Sequence, residues 1–143
     1  MKRPINTKLV KFYLWVGLGY FFLGLFTTVE KYPDRVFPSV FNNLWAVVYL
    51  TALNFILFEF TFPFVLRISW LIINIVFFGI LLLWVHMMFY SFGSYVWRQL
   101  GIQLHVYTPL RIFDSLSVLL RNQMAYSMGS VFFFGIIRHI YNY

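Results

Sequence analysis

Long apolar runs alternate with short polar connections along the chain. Four runs are close to the roughly twenty residues that a helix needs to cross a bilayer, and they lie at about residues 9–28, 43–62, 68–90 and 117–137. A backbone in lipid must satisfy its own hydrogen bonds, so segments of this kind form helices. The pattern therefore predicts a single all-α transmembrane domain over residues 1–143, arranged as an integral membrane four-helix bundle.

The three polar connections differ in character. The first, 29-VEKYPDRVFPSVFN-42, contains two prolines and four charges and predicts a solvated loop. The second is only 63-PFVLR-67, which predicts a tight joint between two spans. Residues 91–116 mix aromatic residues with charges and glycines, so we expect an interfacial segment lying on the membrane surface between helices 3 and 4.

Composition supports a membrane environment. The chain is 62% hydrophobic, 24% aromatic and only 10% charged, with a mean hydropathy of +0.78. A soluble fold of 143 residues would leave too much of this apolar surface in water. The net charge of +7 is scattered around the apolar runs, which argues against nucleic acid as a partner. It suits attraction to anionic lipid head groups.

The positive charges also predict an orientation. If the N-terminus is cytoplasmic, six Lys and Arg residues lie inside (Lys2, Arg3, Lys8, Lys11, Arg67 and Arg138). Four then lie outside (Lys31, Arg35, Arg98 and Arg111). Because basic residues favour the cytoplasmic side, both termini are predicted there. The bacterial inner membrane is the favoured location, with the mitochondrial inner membrane as the alternative.

Glu59 is the most conspicuous polar residue of the apolar runs, within 54-NFILFEFTFPFVLR-67. One interpretation is a carboxylate at the end of the second span that reaches the membrane interface, or that pairs with Arg67 and fixes the joint. The other is a proton-exchanging or quinone-contacting group with a raised pKa. The first is favoured, because a carboxylate without a partner on another span makes a poor proton relay.

Several other residues are candidates for function or packing. His86 and Arg121 are predicted near the outer ends of the third and fourth spans, where they could face one another or a ligand. Asn54 is expected to hydrogen-bond across helices, a contribution of about 0.6–2 kcal/mol. Small residues that permit close helix packing are Gly17, Gly19, Gly24, Ala125 and Gly129.

The sequence contains no motif for a known catalytic chemistry. It has no phosphate-binding loop, no zinc-type cluster, no G-x-S-x-G elbow and no cysteine. We therefore predict no catalytic residue, no metal site and no cofactor, and expect a protein that is not an enzyme.

Two segments carry a family resemblance. They are 54-NFILFEFTFPFVLR-67, with Pro63 at the joint, and 118-VLLRNQMAYSMGSVFFFGIIRH-139, with an arginine near its start. Their layout resembles the membrane region of LytS-type bacterial sensor histidine kinases. Those kinases continue into a coiled linker, a phosphoacceptor histidine and an ATP-binding domain, which this sequence lacks. The resemblance therefore implies a sensor-like membrane module, or a piece of a larger protein, and assigns no catalytic residue.

Three functional hypotheses remain open at this point. The leading one is a non-enzymatic sensor-like or partner-binding helical module. The second is an accessory subunit of a respiratory or secretion complex in the membrane. The third is a quinone- or lipid-handling protein that uses Glu59, His86 or Arg121. The predicted partners are the lipid bilayer and either other membrane proteins or a second copy of the chain.

Overall fold

The described residues of the computed structural model are 6–67, 72–110 and 113–142, and they form four long helices. Helix α1 is Thr7–Lys31, and helix α4 is Leu116–Asn142. Helices α2 and α3 each contain one π-helical turn. Their successive parts are Val36–Ile56, Leu57–Thr61 and Phe62–Arg67 in α2, and Ile72–Met88, Phe89–Gly93 and Ser94–Gln103 in α3.

Consecutive helices pack antiparallel, as the facing residues show. Along α1 and α2, Gly24 lies against Asn43, whereas Tyr13 packs on Phe55 with ring centroids 5.0 Å apart. Facing pairs on the other helices follow the same order, namely Trp97 with Trp45, Tyr90 with Asn54, Tyr126 with Tyr20 and Phe134 with Tyr13. We call the end with the α1–α2 and α3–α4 connections the loop end, and the end with Thr7 and Asn142 the terminal end.

Three helices are long and apolar enough to cross a membrane, over Thr7–Lys31, Val36–Phe64 and Gly79–Gln103. Their outward surfaces carry large apolar side chains such as Trp15, Phe26 and Phe77. This surface is compatible with a multi-pass membrane protein, because exposing large apolar side chains to lipid costs less free energy than exposing them to water.

Helix α4 covers the predicted fourth span but is not among these three. Its 27 residues would reach about 40 Å, more than a hydrocarbon core needs. Part of its polarity faces the bundle, since Ser127 and Ser130 have no exposed surface. Its average hydropathy therefore understates how apolar its outer face is.

The predicted end of the third span and the predicted interfacial segment are wrong in part. Helix α3 continues past Tyr90 to Gln103, so only the residues after it form the α3–α4 connection. The reason is that Ser94 and Arg98 face protein, with 7% and 8% of their surface exposed, and that Trp97 stacks on Trp45. Residues 36–42, predicted as part of a solvated loop, form the first turns of α2.

A reversal at the end of α3 directs the connection back over the bundle. His105 has a positive φ of 60°, and the amide of Val106 donates to the carbonyl of Gly101 at 2.9 Å. This is the pattern that commonly ends α-helices. Asn42 then fixes the connection, because its side chain both donates to the carbonyl of Thr108 (2.6 Å) and accepts from its amide (2.8 Å).

Gly17 gives a test of the α1–α2 packing. A Cβ at Gly17 would overlap the Oγ1 atom of Thr51, whereas a Cβ at Gly19 would lie 3.6 Å from Phe133 Cζ, an ordinary contact. We expect Gly17→Ala to destabilise the fold by about 1–3 kcal/mol through overpacking. Gly19→Ala should be neutral or stabilising, because alanine is the better helix former. Unfolding of both variants in detergent measures the difference, and equal stabilities would contradict the packing described.

Candidate functional site

The side chain of Glu59 joins three helices at the terminal end. Its Oε1 atom accepts a hydrogen bond from the hydroxyl of Tyr13 at 2.7 Å and another from Nε of Arg138 at 2.6 Å. The ion pair is largely buried, with 13% of the Glu59 side chain and 19% of the Arg138 side chain exposed. We call Tyr13, Glu59 and Arg138 the terminal clasp. It ties α1, α2 and α4 together.

The clasp changes the interpretation of Glu59. Arg67 was the predicted partner, and its side chain lies outside the described residues. Arg138 and Tyr13 supply partners on two other helices, so the assumption that Glu59 lacks a partner on another span is wrong. Its charge is matched by the guanidinium of Arg138, an arrangement that stabilises the ends of three helices.

His86 contacts Thr61, and no contact between His86 and Arg121 is seen among the described residues. The Nε2 atom of His86 lies 2.7 Å from Oγ1 of Thr61, in the same π turn as Glu59. Arg121 is exposed on α4, beside Ser91. His86 is far from the end of its helix, because α3 continues to Gln103.

A polar network occupies the middle of the bundle, centred on Asn54. This residue is fully buried. Its Oδ1 accepts from the hydroxyl of Tyr90 (3.0 Å), and its Nδ2 donates to Oγ of Ser130 (3.0 Å) and to the carbonyl of Leu50 (2.8 Å). Asn54 therefore links α2, α3 and α4, which is the cross-helix bonding expected from the sequence.

The π turn of α3 extends this network toward the loop end. A π turn holds one residue more than an α turn, which disturbs the regular backbone ladder. Its carbonyls accept from side chains on neighbouring helices: Phe89 from the hydroxyl of Tyr49 (2.7 Å) and Tyr90 from Oγ of Ser127 (3.0 Å). Ser127 lies 3.3 Å from Ser94, which lines the space described next.

At the loop end the four helices separate around a cavity of about 510 Å³, which we call the chamber. It is lined by residues of all four helices and by the α3–α4 connection. The charged lining residues in the described part of the chain are both basic, Lys31 and Arg98. One wall is rigid, because Trp45 and Trp97 stack at 4.2 Å and each indole N–H donates to the carbonyl of the other residue.

Arg98 is the most unusual group of the chamber. Its guanidinium carbon lies over the rings of Tyr107 and Phe113, at 5.2 and 5.7 Å from their centroids. Its Nε atom is buried, and within residues 6–67, 72–110 and 113–142 no atom accepts a hydrogen bond from it. The hydroxyl of Tyr126 is likewise buried and unpartnered among these residues. The chamber thus presents donors that lack acceptors.

The predicted small residues lie around these sites. A Cβ at Gly24 would come 2.6 Å from Oδ1 of Asn43, and one at Gly129 would come 3.2 Å from the hydroxyl of Tyr20. Ala125 lines the chamber. Gly17 and Gly24 therefore lie where α1 approaches α2, and Gly129 lies where α4 approaches α1. Ala125 lies where α4 borders the chamber.

Arg98 is the residue that sequence reasoning missed, because it was assigned to an interfacial segment. One signal could have found it. Ser94, Arg98 and Gly101 recur at spacings of four and three, which places them on one face of a helix. All three are buried in the structure. A face of small and polar residues, on a helix that carries Tyr95, Val96, Leu100 and Ile102 at other positions, indicates a face directed at protein.

The chemistry that these sites offer is binding by hydrogen-bond donors. Among the residues that the structure describes, no group of three His, Cys, Asp or Glu side chains could hold a metal ion. The terminal clasp satisfies its own charges, whereas Arg98 has a buried positive charge and free donor capacity. The chamber is therefore the candidate functional site.

Comparisons with protein-family models, with curated proteins and with solved structures find no match to this chain.

The terminal clasp can be tested by a double-mutant cycle. Glu59→Gln removes the carboxylate that pairs with the largely buried Arg138, so we expect a loss of about 2–4 kcal/mol in unfolding free energy, and a similar loss for Arg138→Gln. The double variant should lose less than the sum of the two, by about 1–3 kcal/mol. Glu30→Gln, an exposed carboxylate at the other end of α1, is the control and should change little. Additive losses would show that the two groups do not interact.

Proposed function

We propose that the protein is a non-enzymatic, multi-pass membrane module of the sensor-like type, which binds a small ligand in the chamber. The observation that carries the proposal is the buried side chain of Arg98, which borders a cavity of about 510 Å³ and whose Nε has no acceptor among the described residues. Cavities of this size are typical of small-molecule sites in proteins. A buried charge without a protein partner is costly, and a ligand can remove that cost.

The orientation in the membrane belongs to the same proposal. All four helices would cross the bilayer, with both termini in the cytoplasm and the chamber near the outer surface. The distribution of Lys and Arg supports this orientation. A chamber in that position suits a module that responds to a molecule outside the cell, and the resemblance to LytS-type sensor regions implies a sensor-like module.

Ligand binding would be read out through helix packing. The chamber is formed by all four helices, and its residues Ser94 and Ser127 are joined to the Asn54 network. If α3 and α4 can adopt two spacings, a ligand that binds one of them more tightly shifts the equilibrium toward that spacing. The size of the shift is set by the difference between its two affinities. The terminal clasp holds α4 to α1 and α2 at the opposite end of the bundle. In the proposed orientation this end is cytoplasmic, so a movement of α4 relative to α3 would be transmitted to the cytoplasmic side.

The structure weakens the residue assignment of the quinone- or lipid-handling alternative. Glu59 is paired with Arg138 and His86 with Thr61, and neither lines the chamber. A lipid-derived ligand would instead have to use Arg98. The accessory-subunit alternative rests on the apolar outer surface, which lipid and a partner helix would cover equally well.

Native mass spectrometry tests the proposal. The wild-type protein, released from membranes in mild detergent, should carry a small molecule at about one copy per chain. Arg98→Gln should lose it. Arg121→Gln is the matched control, because it removes the same charge from an exposed position outside the chamber and should keep the molecule. A wild-type protein without any bound small molecule, or one that keeps it after Arg98→Gln, would refute the proposal. Recovery only as a tight large assembly would favour the accessory subunit.

A further inference from the structure

We infer that the chamber binds an organic anion, whose carboxylate or phosphate group docks on the guanidinium of Arg98. The inference rests on the proposed function and adds the chemical class of the ligand. The shared chemistry is the anionic group. Its two possible sources are a water-soluble organic acid or phosphate ester and the head group of an anionic lipid.

The first reason is the charge of Arg98. An arginine remains protonated in proteins, so burial cannot be relieved by losing the proton. Arg98 is 8% exposed, and no carboxylate in the described part of the chain lies within ion-pair distance of it. Burying an unpaired charge costs several kcal/mol. An anion in the chamber would supply the missing counter-charge.

The second reason is the geometry of the guanidinium. Tyr107 and Phe113 contact it through their ring faces, which stabilises the charge but accepts no strong hydrogen bond. The N–H donors of Arg98 lie in the plane of the group and form a fork that matches two oxygens of a carboxylate or phosphate. The aromatic contacts thus hold the fork in place and leave its donors for a ligand.

The third reason is the rest of the lining. Lys31 adds a second positive charge, and the chamber has no Asp or Glu among its described lining residues. A cationic ligand would be repelled by both charges. Leu23, Leu50 and the stacked Trp45–Trp97 pair add apolar surface, and the volume exceeds that of a bare inorganic ion. These features favour an anion with an organic body.

Asp114 is the protein group that could compete for Arg98, because it follows Phe113 in the sequence. Its side chain is exposed, and it forms no ion pair with Arg98 within 4 Å. Its substitution therefore separates two explanations. If Arg98 is neutralised by Asp114, Asp114→Asn should lower stability or strengthen anion binding. If Arg98 is kept for a ligand, Asp114→Asn should change neither.

Anion binding can be measured by thermal unfolding of the purified full chain. One series adds water-soluble probes, hexanoate and glycerol 3-phosphate, in nonionic detergent. A second places the protein in phosphatidylcholine bilayers with or without phosphatidylglycerol. We expect one series to raise the unfolding temperature, because a ligand that binds only the folded state stabilises it. The series that does so identifies the source of the anion.

The variants make this result specific to Arg98. Arg98→Gln should weaken the apparent affinity about tenfold or more, the size expected for a lost charge-assisted hydrogen bond. Arg98→Lys keeps the positive charge, so it should retain part of the anion-dependent rise in unfolding temperature. A retained rise would show that the chamber of this variant still folds. Arg121→Gln and Asp114→Asn should behave like the wild type. An equal shift with hexylamine, or an anion effect that survives Arg98→Gln, would overturn the inference.

The inference and the proposed function fail in different ways. A neutral or cationic molecule that is found by native mass spectrometry and lost with Arg98→Gln would leave the proposed function intact and refute the anion. If the protein carries no small molecule whose binding depends on Arg98, the proposed function itself is refuted.

Discussion

Two largely buried polar residues, Glu59 and Asn54, have hydrogen-bond partners on other helices, and these contacts help to determine how the helices are arranged. An unsatisfied polar group in apolar surroundings costs several kcal/mol, far more than a small change in packing. Glu59 avoids this cost by accepting hydrogen bonds from Tyr13 and Arg138. Asn54 avoids it through hydrogen bonds with Tyr90 and Ser130. These two centres fix the mutual register of four helices whose outward surfaces carry many large apolar side chains.

Arg98 departs from this rule, and the departure is what singles out the chamber. Every other step of the interior polar chain, from Asn54 through Ser127 to Ser94, ends on a protein acceptor. At the loop end Arg98 lines the chamber, the aromatic rings of Tyr107 and Phe113 lie against its guanidinium, and its buried Nε has no acceptor among the described residues. Among the buried side-chain atoms of the described residues that lack a partner, which also include Nδ1 of His86 and the hydroxyl of Tyr126, only Nε of Arg98 belongs to a charged guanidinium.

The number of helices and the importance of Glu59 and Asn54 could be predicted from the sequence, because hydropathy and polarity are local properties. The partner of Glu59 could not, since Arg138 is 79 positions away and only the folded register brings the two together. The end of α3 was misplaced for a related reason: average hydropathy does not distinguish an arginine that faces water from one that faces the bundle. The same limit applies to Gly17 and Gly19, which look alike in sequence but differ in what lies opposite.

The most direct test of the account is an experimental structure of the full chain, purified from membranes without exchange of its bound molecules. Density that belongs to no protein residue, within about 3 Å of the Arg98 guanidinium, is the result that the account predicts. A guanidinium paired with a carboxylate of the chain itself, such as Asp114, in an otherwise empty chamber would contradict it.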